Sequence, residues 1–219
     1  MQNPAKTKRT YTSTRRQKQA ADTRQSILAA AQTLFFEQGY SGTTIQSIAE
    51  SAGVAIETIY AIFGSKKTIL ASLVNLAEIG EDLPIPLLEK IEAQKIKEQT
   101  DLREQIRLFS SDVQKILERV SPIIEVLRAA AKFEPEINVL LQQILAERFK
   151  NIYETAGWLI KNAPLREGYD QMSAAETLWA FTSSELYCSL IIDRGWSGEK
   201  YEKWLSDVLI TSLFRIAND

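Results

Sequence analysis

The sequence contains no histidine and a single cysteine, Cys188. Without histidine, the chain cannot form a catalytic Ser-His-Asp or Cys-His arrangement, nor a metal site with imidazole ligands. One cysteine cannot form an internal disulfide or a thiolate cage around zinc. No pair of acidic residues stands out as a recognisable catalytic site either. We therefore expect a protein that is not an enzyme and that has no metal and no cofactor.

Long apolar segments and targeting signals are also scarce. The first 26 residues are polar and basic and lack the apolar segment of a secretory signal. The longest apolar stretch, residues 186–192, is far shorter than the roughly 20 residues that cross a membrane as a helix. We expect a soluble, cytoplasmic protein with no membrane partner.

Charge is distributed unevenly along the chain. Residues 1–67 hold nine Lys or Arg against four Asp or Glu, a formal charge of +5. Because the whole chain has a net charge of -2, the remaining residues have a formal charge of -7. A basic N-terminal segment attached to an acidic body favours contact between that segment and nucleic acid, although a solvated basic tail has the same composition.

The hydrophobic pattern is helical throughout. No stretch shows sustained alternation with a period of two, and most of the nine glycines fall where an apolar period begins or ends. The sequence predicts an all-α fold. Its helices are predicted over about 17–38, from Thr43, and over 55–61, 65–80, 87–98, 101–119, 121–132, 135–161, 173–190 and 197–216.

Several helix ends have recognisable signals. Gly39 is placed to end the first helix in a left-handed conformation. Thr43 with Gln46 and Ser173 with Glu176 match the capping-box pattern at helix starts. Pro122 and Pro135 are each predicted at the first position of a helix, where the missing N–H costs little.

Residues 43–63 have the spacing of a helix-turn-helix. A short helix, a tight turn at Gly53 and a second short helix follow one another, with Ala49, Val54 and Ile59 as the predicted packing contacts. Such a unit can place its second helix in the major groove of DNA. Packed helix pairs with a glycine turn also occur in bundles, so this spacing alone does not establish DNA binding.

This segment resembles the N-terminal signature of the TetR (tetracycline-repressor-like) family of bacterial transcriptional regulators. Residues 27–70 include the patterns A-A-x-x-L-F-x-x-x-G-Y, I-A-x-x-A-G-V and T-x-Y-x-x-F-x-S-K, and residues 193–205 also look like members of this family. The resemblance implies a homodimer with an N-terminal three-helix head that contains the helix-turn-helix, and a C-terminal helical bundle that dimerises and binds a small-molecule effector. It implies a repressor that this effector releases from a palindromic operator in double-stranded DNA.

The resemblance also implies a division of the chain and a set of DNA contacts. Residues 1–16 would be a flexible basic arm, 17–64 the DNA-binding domain and 65–219 the effector-binding and dimerisation domain. Contacts to phosphates or bases would come from Arg24, Thr43, Thr44, Ala55, Ile56, Glu57, Thr58, Tyr60, Ala61 and Lys66. Each of these residues also has a purely structural interpretation, such as capping a helix, bracing the packing or lying on the surface.

Two features depart from what is common in this family. Ala55 stands where many members have a side chain that caps the recognition helix, an interaction worth about 1 kcal/mol. Ile56 and Glu57 stand where basic or small residues are common. Ile56 could meet a thymine methyl, and Glu57 could accept a hydrogen bond from a cytosine amine while repelling phosphate.

The body offers candidates for an effector pocket and a dimer seam. Each aromatic residue has core packing as its alternative role, and the two last helices could pack internally or against a second chain. The predicted pocket residues are Phe109, Phe133, Phe149, Tyr153, Trp158, Trp179 and Phe181. The predicted seam residues are Trp179, Leu186, Leu190, Trp204, Leu205 and Val208.

One further hypothesis competes with a DNA-binding regulator. The chain could be an all-α dimeric ligand-binding or interaction protein that does not read DNA, an interpretation supported only by Ala55 and Glu57. The dependence of DNA affinity on salt distinguishes the two, because phosphate contacts give a steep slope.

Overall fold

The computed structural model describes residues 8–80 and 86–215, with side chains described from residue 16 onward. Within this part, ten α-helices follow one another, and a single isolated bridge between Leu165 and Phe214 is the sole β pairing. The predicted all-α fold is confirmed. The helices are α1 (Lys8–Gly42), α2 (Ile45–Ala52), α3 (Ile56–Phe63), α4 (Lys66–Ile79), α5 (Ile91–Glu98), α6 (Leu102–Ala131), α7 (Pro135–Leu159), α8 (Gln171–Phe181), α9 (Ser184–Cys188) and α10 (Gly198–Leu213).

The chain divides into two compact units, one ending at Leu73 and the other beginning at Val74. The division falls inside α4, which therefore contributes residues to both units. The functional boundary predicted between residues 64 and 65 stays a prediction. Of the predicted basic arm, residues 1–7 lie outside the described residues, and residues 8–16 are part of α1, which begins earlier than the apolar period predicts.

The first unit has one core, to which all four of its helices contribute. Apolar residues at spacings of three and four put one stripe of each helix inside. The core residues include Ile27, Ala31 and Phe35 of α1, Ile48 of α2, Ile59 and Phe63 of α3, and Ile69 and Leu70 of α4, all of them buried. The core fixes which face of α2 and α3 remains outside.

The helix-turn-helix depends on two glycines with positive φ. Gly39 has a φ of 70° and interrupts α1, as predicted, although the helix resumes and ends at Gly42. Gly53 has a φ of 67° and ends α2, with its N–H donating to the carbonyls of Ala49 and Glu50. A left-handed residue is the usual end of a helix before a tight turn, and glycine adopts it without strain.

The predicted capping box at Thr43 and Gln46 is wrong by one residue. Thr44 is the N-cap of α2, and its hydroxyl accepts from the backbone N–H of Ser47 while the hydroxyl of Ser47 accepts from the N–H of Thr44. Thr43 is buried and its hydroxyl donates to the carbonyl of Gly39 at 2.8 Å, so it is not available to cap α2. Gln46 instead pairs with Glu50.

The second unit packs α5 to α10 around a separate core. Tyr201 and Leu205 of α10 and Leu178 of α8 are fully buried there, and the rings of Tyr187 and Tyr201 meet edge to face at 4.9 Å. Edge-to-face contact is a favoured geometry for aromatic rings. The Tyr201 hydroxyl donates to the carbonyl of Phe181, which satisfies this polar group inside the core.

Three predicted helix boundaries in this unit are wrong. Pro122 lies inside α6, because the flanking Ser121, Ile123 and Ile124 are buried, and this packing offsets the backbone hydrogen bond that proline removes. Helix α8 is capped by Asp170, whose carboxylate accepts from the N–H of Ser173.

The third error concerns the helix predicted over 173–190. It is interrupted after Phe181, Ser183 caps a new helix α9, and a π-helical turn over Ser189–Asp193 follows. Ser183 competes with the helix by accepting from the N–H of Leu186 with its side chain. The apolar period alone carries no information about such a break.

No helix in the part of the chain that the structure describes is long and apolar enough to cross a membrane.

Candidate functional site

Helix α3 presents one face to the core of the first unit and the opposite face to solvent. Ile59 and Phe63, four residues apart, are buried. The outer face is formed by predicted DNA-contact residues, namely Ala55, Ile56, Glu57, Tyr60 and Ala61, all of them exposed. Because Ile59 and Phe63 are buried in the core, the orientation of α3 within the first unit is fixed, and its outer residues point away from that core.

The start of α3 combines free backbone amides with one acidic side chain. Ala55 is the N-cap and has extended backbone, and no side chain hydrogen-bonds to the first turn. The unpaired N–H groups and the helix dipole favour an anion at this end. Glu57 places a carboxylate in the same turn. The start of α3 is therefore less attractive to phosphate than an uncharged helix start.

The start of α2 lacks such a charge. Thr44 is exposed, and the described first turn of α2 contains no acidic residue. Its hydroxyl is engaged in the capping box with Ser47, so the hydrogen-bonding capacity offered to a ligand comes mainly from the backbone N–H groups that follow.

Lys66, predicted as a phosphate contact, is engaged inside the first unit. Its Nζ donates to the carbonyl oxygens of Tyr40 at 2.7 Å and Thr43 at 2.8 Å, and lies 4.1 Å from the centroid of the Tyr40 ring. These carbonyls belong to the corner between α1 and α2. The first residue of α4 therefore fixes the corner that carries Thr44.

Arg24 has a comparable role. Its guanidinium lies 4.5 Å over the ring of Phe63, and its Nη2 donates to the Ser72 hydroxyl at 3.3 Å. It thus connects α1 with α3 and α4. Two predicted residues are poorly exposed, since Thr43 is buried and Thr58 is half-buried.

The second unit contains a cavity bounded by α4, α5, α6, α7 and the α8–α9 junction. The space that its lining leaves unfilled is about 1060 Å³, including the opening to solvent. Most of the lining is aliphatic, for example Ile96, Val113, Ile116 and Ile152. Cavities of this kind are the usual binding sites of small molecules.

Charged groups cluster where α6, α7 and the α8–α9 junction meet the cavity. Arg148 donates to the carbonyl oxygens of Trp179 at 3.1 Å and Thr182 at 2.8 Å, and stacks 4.1 Å from the Trp179 ring centroid. Arg128 pairs with Glu185 at 2.6 Å. All these residues except Trp179 line the cavity.

Burial changes the acid–base properties of this cluster. Desolvation lowers the pKa of Arg148 to about 10, an effect that the Glu185 carboxylate partly offsets. Desolvation also raises the pKa of Glu78, which the Arg148 charge partly opposes and Glu147 reinforces. A buried charge is costly in an apolar cavity, so both shifts favour the neutral form.

The aromatic residues predicted for the pocket fall into two groups. Phe109 and Trp158 line the cavity. The other five do not line it. Phe133 is 83% exposed, and Tyr153 is also exposed at the surface. The remaining three pack in edge-to-face ring pairs, Phe149 with Trp179 and Phe181 with Trp204.

The residues predicted for the dimer seam also differ in accessibility. Trp179, Leu186, Leu190, Trp204 and Val208 keep part of their surface within the described chain, and Leu205 is fully buried in its own protomer. A fully buried side chain has no surface left to offer a second chain.

Sequence reasoning missed the charged residues of the cavity, above all Arg148. A signal was present, because Arg148 occupies the apolar stripe of α7 between Leu141, Ile144 and Ile152. A charged residue at a core position of an amphipathic helix is paired or functional more often than not.

Comparison with known proteins bears on the first unit. Residues 27–73 match the family described as bacterial regulatory proteins, tetR family. The HTH-type transcriptional repressor BepR of Brucella suis biovar 1 (strain 1330) is 38% identical over 64 residues, which are 29% of this chain and 31% of that protein. The matched stretch thus spans about a third of the length of this curated relative.

Comparison of folds extends over both units. NalD of Pseudomonas aeruginosa, the secondary repressor of the MexAB-OprM multidrug efflux pump, has a TM-score of 0.67 and 21% identity, covering 90% of this chain and 98% of that one. The transcriptional regulator FadR from Bacillus subtilis in complex with stearoyl-CoA has a TM-score of 0.65 and 21% identity, covering 85% and 97%. At this identity, these likenesses show the fold.

Proposed function

We propose that the chain is a sequence-specific DNA-binding transcriptional regulator, since residues 27–73 match the tetR family of bacterial regulatory proteins. We propose further that it is a repressor, released from a palindromic operator by a small-molecule effector. The observation that carries the proposal is the exposed outer face of α3, held at a fixed angle by the buried Ile59 and Phe63 in a segment that matches this family.

Helix α3 supplies the base contacts in this account. An α-helix with its side chains is about 10–12 Å wide and fits the major groove, which is about 12 Å wide. Ile56 would meet a thymine methyl, and Glu57 would accept from a cytosine amine. Tyr60, with a side chain 53% exposed, would donate its hydroxyl to a phosphate.

The backbone of the DNA is positioned by α2 rather than by Lys66. The N–H groups after Thr44 form an anion site at a helix start without an acidic residue in the described first turn. Through their contacts to Tyr40, Thr43 and Phe63, Lys66 and Arg24 fix the positions of the start of α2 and of α3. We assign these two cations a positioning role.

Dimerisation would place two copies of α3 on successive turns of one face of DNA. Two-fold symmetric helix-turn-helix proteins bind half-sites about 34–36 Å apart. We propose that the partly exposed side chains of α8, α9, α10 and the π-helical turn form the seam, with Leu205 excluded because it is buried in its own protomer. The seam residues are then Trp179, Leu186, Leu190, Trp204 and Val208.

Helix α4 offers a route from the cavity to the head. Its residues Val74 and Glu78 line the cavity. Its last backbone carbonyls accept hydrogen bonds from side chains of the second unit, because Arg119 donates to the carbonyl of Ala77 at 2.9 Å and Lys90 donates to the carbonyl of Ile79. An effector that binds one position of α4 better than another shifts the population toward it. The distance between the two α3 helices would then no longer match the operator.

Selection of bound sequences from random duplex DNA by the purified protein tests this function. We expect enrichment of a palindrome whose half-sites are about one helical turn apart. The variant Tyr60→Phe should bind the same sequence more weakly, and Glu154→Ala, at an exposed position of α7, should bind as the wild type does. Recovery of random sequences by a folded protein would contradict the proposal.

The alternative, a dimeric ligand-binding protein that does not read DNA, is not favoured, because the matched family is described as bacterial regulatory proteins and the curated relative as an HTH-type transcriptional repressor.

A further inference from the structure

The cavity of the second unit has one aliphatic end and one charged end. We propose that its ligand is an elongated amphipath with a single anionic head group and a hydrocarbon tail. This inference rests on the proposed function, because it names the chemical class of the effector. It is carried by the length of the cavity, the distribution of charge along it and two arginines whose hydrogen-bonding capacity is only partly used.

The residues that line the cavity extend far along both α6 and α7. Its lining on α6 extends from Phe109 to Arg128, roughly 28 Å along the axis at about 1.5 Å per residue. Its lining on α7 extends from Ile144 to Trp158, roughly 21 Å. A linear chain can follow such a path between two helices, whereas a compact ring system would occupy only part of it.

The end near Phe109 and Trp158 suits a hydrocarbon. Ile96 and Ile152 complete its wall, and Leu87 and Leu88 of a 3-10 turn line it as well. Burying each methylene of a chain there is expected to strengthen binding about fourfold. Asp112 also lines this wall; burial raises its pKa and so favours the neutral form, with Glu92 reinforcing the shift and Lys90, Arg119 and Lys115 opposing it.

The opposite end presents the two arginines. Nη2 of Arg148 is used by the carbonyls of Trp179 and Thr182, and the other N–H groups of this guanidinium donate to no described residue. Arg128 pairs with Glu185 through its Nη2, while its buried Nε has no partner among the described residues. A buried donor without an acceptor is costly, and a carboxylate or similar head group supplies the acceptors.

The balance of charge favours an anionic over a cationic head group. Glu185 is already committed to Arg128 at 2.6 Å. Burial raises the pKa of Glu78 and so disfavours a negative charge on this side chain, a shift that Arg148 opposes and Glu147 reinforces. Arg148, with a pKa of about 10, remains charged at neutral pH. Among the described residues, Glu185 pairs with Arg128 and not with Arg148, so the Arg148 guanidinium is left to pair with an anionic head group.

Three probes with chains of twelve carbons test the inference by calorimetry on the whole 219-residue chain, below their micelle concentrations or solubility limits. They are dodecanoate, 1-dodecanol and dodecyltrimethylammonium. We expect dodecanoate to bind tightest, about tenfold or more tighter than the alcohol, as a hydrogen bond to a charged group implies. Equal affinity for the alcohol, or preference for the ammonium probe, would overturn the proposal.

Substitutions at the two ends of the cavity test the contributions of the head group and of the tail to binding separately. Arg148→Lys keeps the charge but loses the guanidinium, and should weaken dodecanoate about tenfold while leaving dodecanol unchanged. Arg103→Lys, at an exposed position of α6, is the matched control. Val113→Trp should block the channel and weaken dodecanoate more than octanoate. A Val113→Trp protein that folds and binds both acids as the wild type does would show that the tail lies elsewhere.

Affinity for the selected operator, measured on the same preparation, keeps this inference distinct from the proposed function. Operator binding without any dodecanoate binding would show that the ligand class is wrong and leave the regulator intact. Selective dodecanoate binding with unchanged operator affinity would support the ligand class and contradict release of DNA by this effector.

Discussion

The ammonium group of Lys66 lies 2.7 Å from the carbonyl oxygen of Tyr40 and 4.1 Å from the centroid of the same residue's ring. The first residue of α4 therefore holds the end of α1 by both a charged hydrogen bond and a cation–π contact. The same Nζ reaches the carbonyl of Thr43, next to the residue that caps α2. Lys66 thus determines where the start of α2 lies, and it does so from inside the protein.

Replacing Lys66 by methionine separates positioning from direct phosphate contact. We expect Lys66→Met to lower the free energy of unfolding by about 1–3 kcal/mol, because two buried carbonyls lose a charged donor. Operator affinity should fall while the slope of its logarithm against the logarithm of salt stays nearly unchanged. Lys18→Met, at an exposed position of α1, is the control for stability. A slope reduced by about one would instead identify Lys66 as a phosphate contact.

Glu57 should make binding selective rather than strong. Its carboxylate is exposed in the first turn of α3, where it repels phosphates and can accept from cytosine. We expect Glu57→Ala to bind random duplex DNA more tightly and to lose about 1–3 kcal/mol of discrimination at one base pair of each half-site. Repeating the sequence selection with this variant gives the measurement, and an unchanged base preference would contradict the assigned role.

We expect a serine at position 55 to supply the side-chain N-cap that α3 lacks. Ala55 has the extended backbone of an N-cap but no side-chain acceptor. We expect Ala55→Ser to raise the free energy of unfolding in urea by about 1 kcal/mol. Ala61→Ser, at an exposed interior position of the same helix, is the matched control and should be neutral or slightly destabilising. Equal effects at both positions would show that the serine at position 55 does not cap the helix.

The pH dependence of stability reports on Glu78. Burial raises its pKa in the folded state, so the folded protein binds more protons than the unfolded chain from about the ordinary value of 4.5 upward. Stability is therefore lost as the pH rises from that value through the folded-state pKa, and each pH unit between the two pKa values corresponds to about 1.4 kcal/mol. Glu78→Gln should be stabilised relative to the wild type at pH 7, and less so at pH 4.

Glu154→Gln, at an exposed position of α7, is the control for that measurement. If Glu78→Gln and the wild type kept a constant difference in free energy of unfolding from pH 4 to pH 7, the carboxyl group would not be desolvated in the folded protein.

The sequence predicts the fold class and the head more fully than the body. Apolar spacing places Ile59 and Phe63 inside, and the outer face of α3 follows directly from that periodicity. The exact cap was missed, because Thr43 and Thr44 have the same chemistry and only the burial of Thr43 decides between them. The TetR resemblance is carried by local motifs, which is why it identifies the head.

The body could not be predicted in the same detail, because its site is formed by long-range packing. Arg148 contacts Trp179 and Thr182, which are 31 and 34 residues away in the chain, and no local pattern indicates that meeting. The aromatic residues were a poor guide, since Phe149 and Trp179 satisfy each other as a ring pair and Phe133 points to solvent. The break between α8 and α9 is also a place of long-range contact, since Arg148 of α7 donates to the carbonyl of Thr182 there.

The ratio of two affinities tests the central claim most directly. One duplex contains the palindrome enriched by selection, and the other contains the same bases with both half-sites shuffled, at one fixed salt concentration. If the outer face of α3 reads bases, the protein should bind the palindrome about a thousandfold or more tightly than the shuffled duplex. Equal affinities for the two duplexes, from a protein with intact helical structure, would contradict sequence-specific recognition of DNA by this chain.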